Sequence, residues 1–487
     1  MGLFLGACAT RPPQFADRTP VLREGDDRPI AVPKQRFFLS EINAADVYVR
    51  RGLVEALDPR RPRPAVDVNS LDEVARSSWY HGLDPKNPLA GYEVAGPPKT
   101  PWTVIEEDDP KDRSGIEDTV PIRDARGLRY ELIGDPQGRP QLRTGAQLIA
   151  SRLVYALGYY TPEVYRVRHP DRGTVAALRW PADIDLGPTP ITFTREDDPN
   201  DKLEHRDRRS LRALRALCAF IQMNRLPAES LHDAYVGKPG RGHVRHYVVG
   251  LTGALGVADL EAAIAFANDP DRQASNFFFR LFSMGLSPKP PSVVPETDFP
   301  EVGLLLDSFT PKRFQPQPPF EPFDRILPDD EYWFSKTLAR LRKKTVVDIV
   351  RAAGLRDEVT AYIIEVLERR RAIVVADGLG RTSPLEVAAL TAKPDGLVFG
   401  DLGIEHGFVP REERSYRVRF LDAAGDELRR LVLPAAGRYT SLSLRGLDED
   451  YVVVDVRARR KGIGYHRSAV FHLRRRDGRL QHVGTTH

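Results

Sequence analysis

Apolar residues recur with three different rhythms along this chain. Residues 9–115 show none that lasts: Pro59-Arg-Arg-Pro-Arg-Pro64 permits only turns or extended chain, and Pro, Gly and Asp interrupt the remainder. Such a stretch reads as an irregular leader that wraps or tethers a folded core. From Thr119 the pattern tightens, and two β-prone segments flank Asp124-Ala-Arg-Gly127, a hairpin signal. Leu148, Ile149, Leu153, Ala156 and Leu157 then fall on one helical face, with Thr144 as the expected N-cap and Gly158 as the stop. Pro162 to Val167 reads as a return strand. A second helix over 210–222 carries Leu211, Leu214, Leu217, Cys218 and Ile221 at helical spacing. It leads through a loop, Met223 to Ser230, into two strands at 233–236 and 243–249 joined by a Gly- and Pro-rich turn. Helices over 260–268, 345–353 and 357–375 follow, while the Pro-dense crossing from Pro288 to Pro328 is expected to be non-helical.

From about Leu397 the period becomes two. Residues 415–421, 439–444 and 470–473 alternate, and Tyr451-Val-Val-Val-Asp-Val456 is more continuously apolar. Short strands separated by turns predict a small β-sandwich of about 90 residues over 397–487. The expected fold class is therefore α+β: an irregular leader over 9–115, a mixed core over 116–390 and an all-β domain at the end.

Composition narrows the function classes. With 72 Lys plus Arg against 68 Asp plus Glu in 487 residues, the net charge is +4 and 29% of residues are charged, which excludes a chain held open by self-repulsion. After the first few positions no apolar run approaches the roughly 18 residues of a membrane helix. Cys8 and Cys218 are the only cysteines, so a disulfide framework and a thiolate zinc cluster are excluded. Cys218 sits on an apolar helix face and reads as packing.

Charge is unevenly placed. Residues 411–487 hold 16 Arg and 1 Lys against 10 Asp and Glu, a local +7, so the rest of the chain carries −3. Arg457, Arg459, Arg460 and Lys461 with Arg474, Arg475 and Arg476 form a candidate basic face for anionic lipid, an acidic glycan or an envelope protein. No aromatic stacking surface is interleaved with them, which argues against nucleic acid.

The chain opens Met1-Gly-Leu-Phe-Leu-Gly-Ala-Cys8 and turns polar at once. Leu5-Gly-Ala-Cys8 resembles the bacterial lipoprotein processing signal, in which the cysteine thiol is acylated. It departs from that pattern in lacking a positive charge before a short apolar part. The resemblance implies a signal remnant over 1–8, lipid attachment at Cys8 and an extracytoplasmic, membrane-anchored location in the bacterial cell envelope.

In the middle of the chain, Asp124-Ala-Arg-Gly-Leu-Arg-Tyr130, Thr144-Gly-Ala-Gln-Leu-Ile149, Tyr155-Ala-Leu-Gly-Tyr159, Arg245-His-Tyr247, Ala254-Leu-Gly256, Asp330-Glu-Tyr-Trp333 and Leu367-Glu-Arg-Arg370 resemble a set of uncharacterised bacterial secreted proteins with an atypical kinase-like core. That resemblance implies a kinase-like fold over roughly 115–390. Phosphoryl transfer needs a strand Lys on the phosphates, a helix Glu pairing it, a loop Asp for the acceptor hydroxyl, and an Asn plus a second Asp for the metal ions. Aligned on the flanking motifs, those positions fall at Ile133, Gln147, Arg225, Ser230 and Gly250. The resemblance thus implies a kinase-like fold without kinase chemistry, cofactor or metal, in a protein that binds or scaffolds.

Two other readings of function are carried. One is an active transferase with rerouted carboxylates, Glu131, Asp135 or Asp233; the other is a structural or adhesive surface protein working through the basic β domain. Glu106 to Asp109 with Asp112, Glu117 and Asp118 lacks calcium-loop spacing. Asp197, Asp198, Asp201 and Glu204 likewise read as a solvated loop, and His243 and His246, three apart in a strand, are expected on opposite faces.

Overall fold

The structure, a computed structural model, describes residues 13–16, 25–35, 63–105, 119–180, 184–191, 193–226, 230–261, 297, 299–314, 316, 320–392 and 395–487. Its first layered unit is an antiparallel sheet of β1 (Thr103–Val104), β2 (Thr119–Arg123), β3 (Arg129–Ile133), β4 (Glu163–His169) and β5 (Gly173–Arg179), in the order β1-β2-β3-β5-β4. Helix α1 (Leu142–Ala156) covers one face. The period of two explains the sheet's two sides: Tyr130, Leu132, Tyr165, Val175 and Ala177 form a small cluster on one side. Ile133, Val164, Ala176 and Leu178 join the α1 side chains in the main core on the other.

The predicted hairpin turn is present. Asp124 Oδ1 accepts from the backbone N–H of Arg126 and of Leu128, both at 2.9 Å, and Gly127 takes a φ of +80°. The expected cap of α1 is corrected: Thr144 is buried inside the first turn. Asp135 takes the capping role, accepting from the N–H of Gln141 at 2.8 Å and of Thr144 at 2.9 Å. Gly158 ends the helix region with a φ of +97°, where a Cβ would stand 2.4 Å from the Tyr80 ring.

The second unit is mostly helical. It contains β6 (Ile184–Pro188), α2 (Arg209–Arg212), α3 (Leu214–Ile221), β7 (Leu231–Val236), β8 (His243–Val248), α4 (Val257–Glu261), α5 (Glu321–Asp324), α6 (Pro328–Arg340), α7 (Lys343–Ala352) and α8 (Asp357–Leu379). Strands pair in the order β6-β7-β8. The single helix expected over 210–222 is divided at Ala213 into α2 and α3. Only the start of the 260–268 helix falls on α4, and the rest lies outside the described residues.

The Pro-dense crossing is also corrected. It contains the one-turn α5 and ends on the first residue of α6, a helix the spacing did not announce. Pro328 occupies the first helical turn, where its missing N–H costs nothing, and Asp330 accepts from Leu327 N–H at 2.9 Å. Tyr332, Trp333, Phe334 and Leu338 on α6 then join Val366, Leu367, Val374 and Val375 of α8 in the main core.

The remaining strands are β9 (Leu385–Ala392), β10 (Asp395–Asp401), β11 (Arg414–Leu421), β12 (Glu427–Pro434), β13 (Tyr439–Ser443), β14 (Tyr451–Arg460), β15 (Gly464–Tyr465), β16 (Ala469–Arg476) and β17 (Arg479–Thr486), with a one-turn α9 (Leu402–Glu405) after β10. They form two antiparallel sheets, β13-β10-β9 and β12-β11-β14-β16-β17, the latter with β15 on β14. Leu385, Leu397, Phe399 and Leu442 of the first share a core with Tyr416, Val418, Phe420, Val454, Val456 and Phe471 of the second. The all-β region thus begins at Leu385, earlier than the expected boundary of 397, because β9 pairs with β10 along its length.

Candidate functional site

Of the five positions aligned to kinase chemistry, Ile133, Gln147 and Ser230 are buried, Gly250 is half-buried and Arg225 is exposed. Ile133 ends β3 inside the main core, and Gln147 is fully buried on α1, donating from Nε2 to Ser151 Oγ at 2.9 Å. Ser230 is buried, and its carbonyl accepts from Val249 N–H at 2.8 Å, which brings it beside Gly250. Gly250, half-buried with a φ of +66°, leads into a 3-10 turn whose Leu251 is buried in the core with α1. Arg225 points to solvent. The three alternative carboxylates also have separate partners: Glu131 accepts from Trp180 Nε1, Asp135 caps α1, and Asp233 belongs to a buried network on β7.

β7 and β8 position that network. Asp233 and His246 are register partners on the two strands. Asp233 is fully buried and accepts from His246 Nδ1 at 2.7 Å, from Arg195 Nη1 at 3.0 Å and from Thr189 Oγ1. Burial alone would raise its carboxyl pKa, but His246 and Arg195 outweigh it and hold the group well below the usual range. Trp79, from the leader, stacks on His246 at 3.7 Å between ring centroids and meets the His205 edge at 4.6 Å.

His205 Nε2 lies 2.6 Å from Asp201 Oδ2, and Arg208 Nη2 reaches Asp201 Oδ1 at 3.1 Å. Asp201 is likewise held far below the usual range, since His205 and Arg208 together exceed its burial penalty. The expectation of a solvated acidic loop over 197–204 is therefore corrected for Asp198 and Asp201, both buried. Burial raises the Asp198 carboxyl. His243 is half-buried on the side of β8 opposite His246. Spacing could not show the network, because its members come from residues 79, 189–208, 233 and 246.

A second buried set joins the leader, α2, α6 and the chain's last residue. Asp330 of α6 accepts from Arg209 Nε at 3.0 Å and meets Arg212 Nη1 at 3.5 Å. Arg209 Nη1 reaches Asp72 Oδ1 at 2.7 Å, and His487 Nδ1 lies 2.9 Å from Asp72 Oδ2. Burial is opposed by Arg209 and His487, which bring Asp72 down to about 2. Lys336 Nζ bridges Glu73 at 2.6 Å and Glu386 at 2.7 Å, crossing from α6 to β9.

The basic residues of the β domain fall into two groups at opposite ends of β14 and β16. In the register of these strands, Arg474 lies opposite Tyr451, while Arg457, Arg459, Arg460 and Lys461 lie beyond the Val456–Ala469 pair. They do not form one continuous face, as the sequence reading expected. Arg474, Arg475 and Arg476 serve the protein's own backbone: Arg474 Nε donates to Phe15 O at 3.3 Å, Arg475 Nη2 to Leu447 O at 2.7 Å and Arg476 Nη2 to Ala16 O at 2.8 Å. Phe15 packs with Tyr451, Val453 and Val483, and a Cβ on Gly484 would stand 2.2 Å from its ring. Cys8 and the acidic stretch 106–118 lie outside the described residues.

Among the described residues, no group of three or more His, Cys, Asp and Glu side chains is arranged to hold a metal ion. No helix among them is long and apolar enough to cross a membrane.

No protein-family model matches the chain, and no curated relative matches it. Among solved structures, the chain is similar to that of a Helicobacter pylori proinflammatory kinase, CtkA, at 11% sequence identity and a TM-score of 0.31, covering 57% of this chain and 97% of that one. The likeness to a kinase is weak. It carries no argument about activity.

Proposed function

We propose that residues 116–390 form a kinase-like core that has lost phosphoryl-transfer chemistry, and that the protein binds or scaffolds a partner at the bacterial envelope surface, anchored through Cys8. The order of parts supports the core: a β2–β3 hairpin, α1 against β3, the β4–β5 return, then α3, a loop and the β7–β8 hairpin ending at Gly250.

The observation that carries the loss of catalysis is the employment of the charged groups. Asp233, Asp201 and Asp330 are each neutralised within the fold by Arg or His side chains, while Ile133 and Gln147, where a phosphate clamp would stand, are sealed in the core. A carboxylate pinned by two or three internal donors cannot reorganise toward a substrate hydroxyl without leaving buried cations unpaired.

Incubation of the purified protein with radiolabelled ATP and Mg²⁺ is expected to give no phosphate transfer to itself or to general acceptor proteins above a protein-free control. Transfer abolished by Asp233→Asn would overturn the reading. For the anchor, labelled fatty acid is expected to enter the wild-type protein and not Cys8→Ser; equal labelling of both would remove Cys8 as the attachment site.

A further inference from the structure

The outer face of the larger β sheet carries cations that the fold leaves uncompensated. Arg417 on β11 and Arg457 on β14 are register partners, both exposed on the side opposite the shared core. Like charges placed directly opposite on neighbouring strands oppose pairing. The next partners along the same face, Arg419 and Asp455, are an ion pair, so a compensated solution stands one step away. Among the described residues, Arg417, Arg457 and Arg459 have no carboxylate within ion-pair distance, whereas Arg460 is paired with Glu413 at 3.3 Å.

Two of these arginines, Arg417 and Arg459, flank an aromatic ring beside a turn, and Arg457 Nε donates to Ser468 Oγ at 3.0 Å. Tyr465 on β15 is the register partner of Arg459. The Arg417 guanidinium lies 4.3 Å from the Tyr465 ring centroid and that of Arg459 lies 5.8 Å away, contacts that hold both cations against the sheet. The turn linking β14 to β15 runs Lys461-Gly-Ile-Gly464, with Lys461 exposed and Ile463 68% exposed at its tip. An isoleucine this exposed finds no burial among the described residues; Lys461, Arg459 and Tyr465 are its neighbours on the turn and its flanking strands, and the nearby Glu413 is taken up by Arg460 and by Lys461 N–H through its carbonyl.

We propose that this turn docks the protein onto an anionic lipid bilayer. Ile463 and Tyr465 enter the headgroup layer, while Arg417, Arg457, Arg459 and Lys461 meet the lipid phosphates. An apolar tip with an interfacial aromatic residue and a cationic collar matches the two attractions available at such a surface, shallow apolar insertion and Coulomb attraction to acidic lipid. An acidic polysaccharide would satisfy the arginines and leave Ile463 in water. The proposal rests on the envelope location and not on the state of the kinase-like core.

The test uses the full chain with Cys8→Ser, so that no lipid anchor contributes, in sedimentation with vesicles of phosphatidylethanolamine and phosphatidylglycerol. The protein is expected to sediment with them and not with phosphatidylcholine vesicles. Binding should weaken at least tenfold in Arg457→Ala/Arg459→Ala and in Ile463→Asp, with unchanged thermal unfolding, and should fall as salt rises. Loss in the arginine variant with full binding by Ile463→Asp would overturn insertion of the tip. Failure to bind anionic vesicles, or retention on immobilised alginate with none on vesicles, would overturn the proposal and leave the phosphoryl-transfer reading untouched.

Discussion

Asp233 and His246 face each other as register partners on β7 and β8, and His246 Nδ1 stands 2.7 Å from Asp233 Oδ1. With Arg195 on its other oxygen, Asp233 is the point where the hairpin, the 189–208 segment and, through Trp79, the leader are tied together. Removing it strands the buried Arg195 guanidinium and the buried His246 ring.

Asp233→Ala is expected to cost about 3–5 kcal/mol, the range for breaking a buried charge pair. In thermal unfolding this appears as a midpoint lower by roughly 10 °C. The double variant Asp233→Leu/Arg195→Met should recover part of the loss, since it no longer leaves the buried Arg195 guanidinium facing a missing carboxylate. A single variant as stable as wild type would show that the network contributes little.

Two histidines set a decline of stability on mild acidification. Burial lowers His81 and His472 to about 4 each from an ordinary value of 6.5. A depressed histidine binds its proton more readily when unfolded, so stability falls as pH drops from 6.5 toward 4. For His472 the loss is on the order of 2–3 kcal/mol across that window. Chemical unfolding curves at pH 7.5 and 4.5 should show it, and His472→Gln should flatten the dependence. Equal slopes in wild type and variant would contradict the assignment.

A separate acid window belongs to Asp72. Arg209 and His487 hold it at about 2 against 3.8, so its contribution is complete above pH 3.8 and is lost as pH falls through 2. Arg209→Ala should therefore move acid unfolding to higher pH. An unchanged acid midpoint would mean that this carboxyl does not govern the transition.

Cys218 should behave as packing. It is buried on α3, and burial pushes its thiol up. In Cys8→Ser protein, a disulfide reagent at pH 8 is expected to label roughly a tenth of a thiol or less per native chain, and one thiol in denaturant. Rapid native labelling would mean that α3 opens readily.

Local rules made much of the fold readable and left the polar networks hidden. The return strand expected from Pro162 to Val167 is met by β4, and Asp124 with Gly127 makes the turn their spacing implies, whereas β5 was not announced. The near-continuous apolar run of β14 is explained by burial on both faces: Val452, Val454 and Val456 enter the shared core, while Tyr451 and Val453 pack with Phe15 and Val483. α6 was hidden because Pro328 and three acidic residues look like a loop, although both features suit a first helical turn. The Asp201 and Asp233 networks gave no local signal, because residue type reveals charge and not the distant residue that answers it. The same limit applies to Arg474 and Arg476, whose acceptors are carbonyls of residues 15 and 16.

The central claim, a kinase-like core that has lost its phosphate clamp and with it phosphoryl-transfer chemistry, is tested most directly by thermal unfolding with and without millimolar ATP and Mg²⁺. A ligand present at 100 times its dissociation constant stabilises the folded state by about 2.7 kcal/mol. The account predicts the same unfolding midpoint with and without nucleotide. A midpoint raised by several degrees, dependent on Mg²⁺ and on nucleotide concentration, would contradict it.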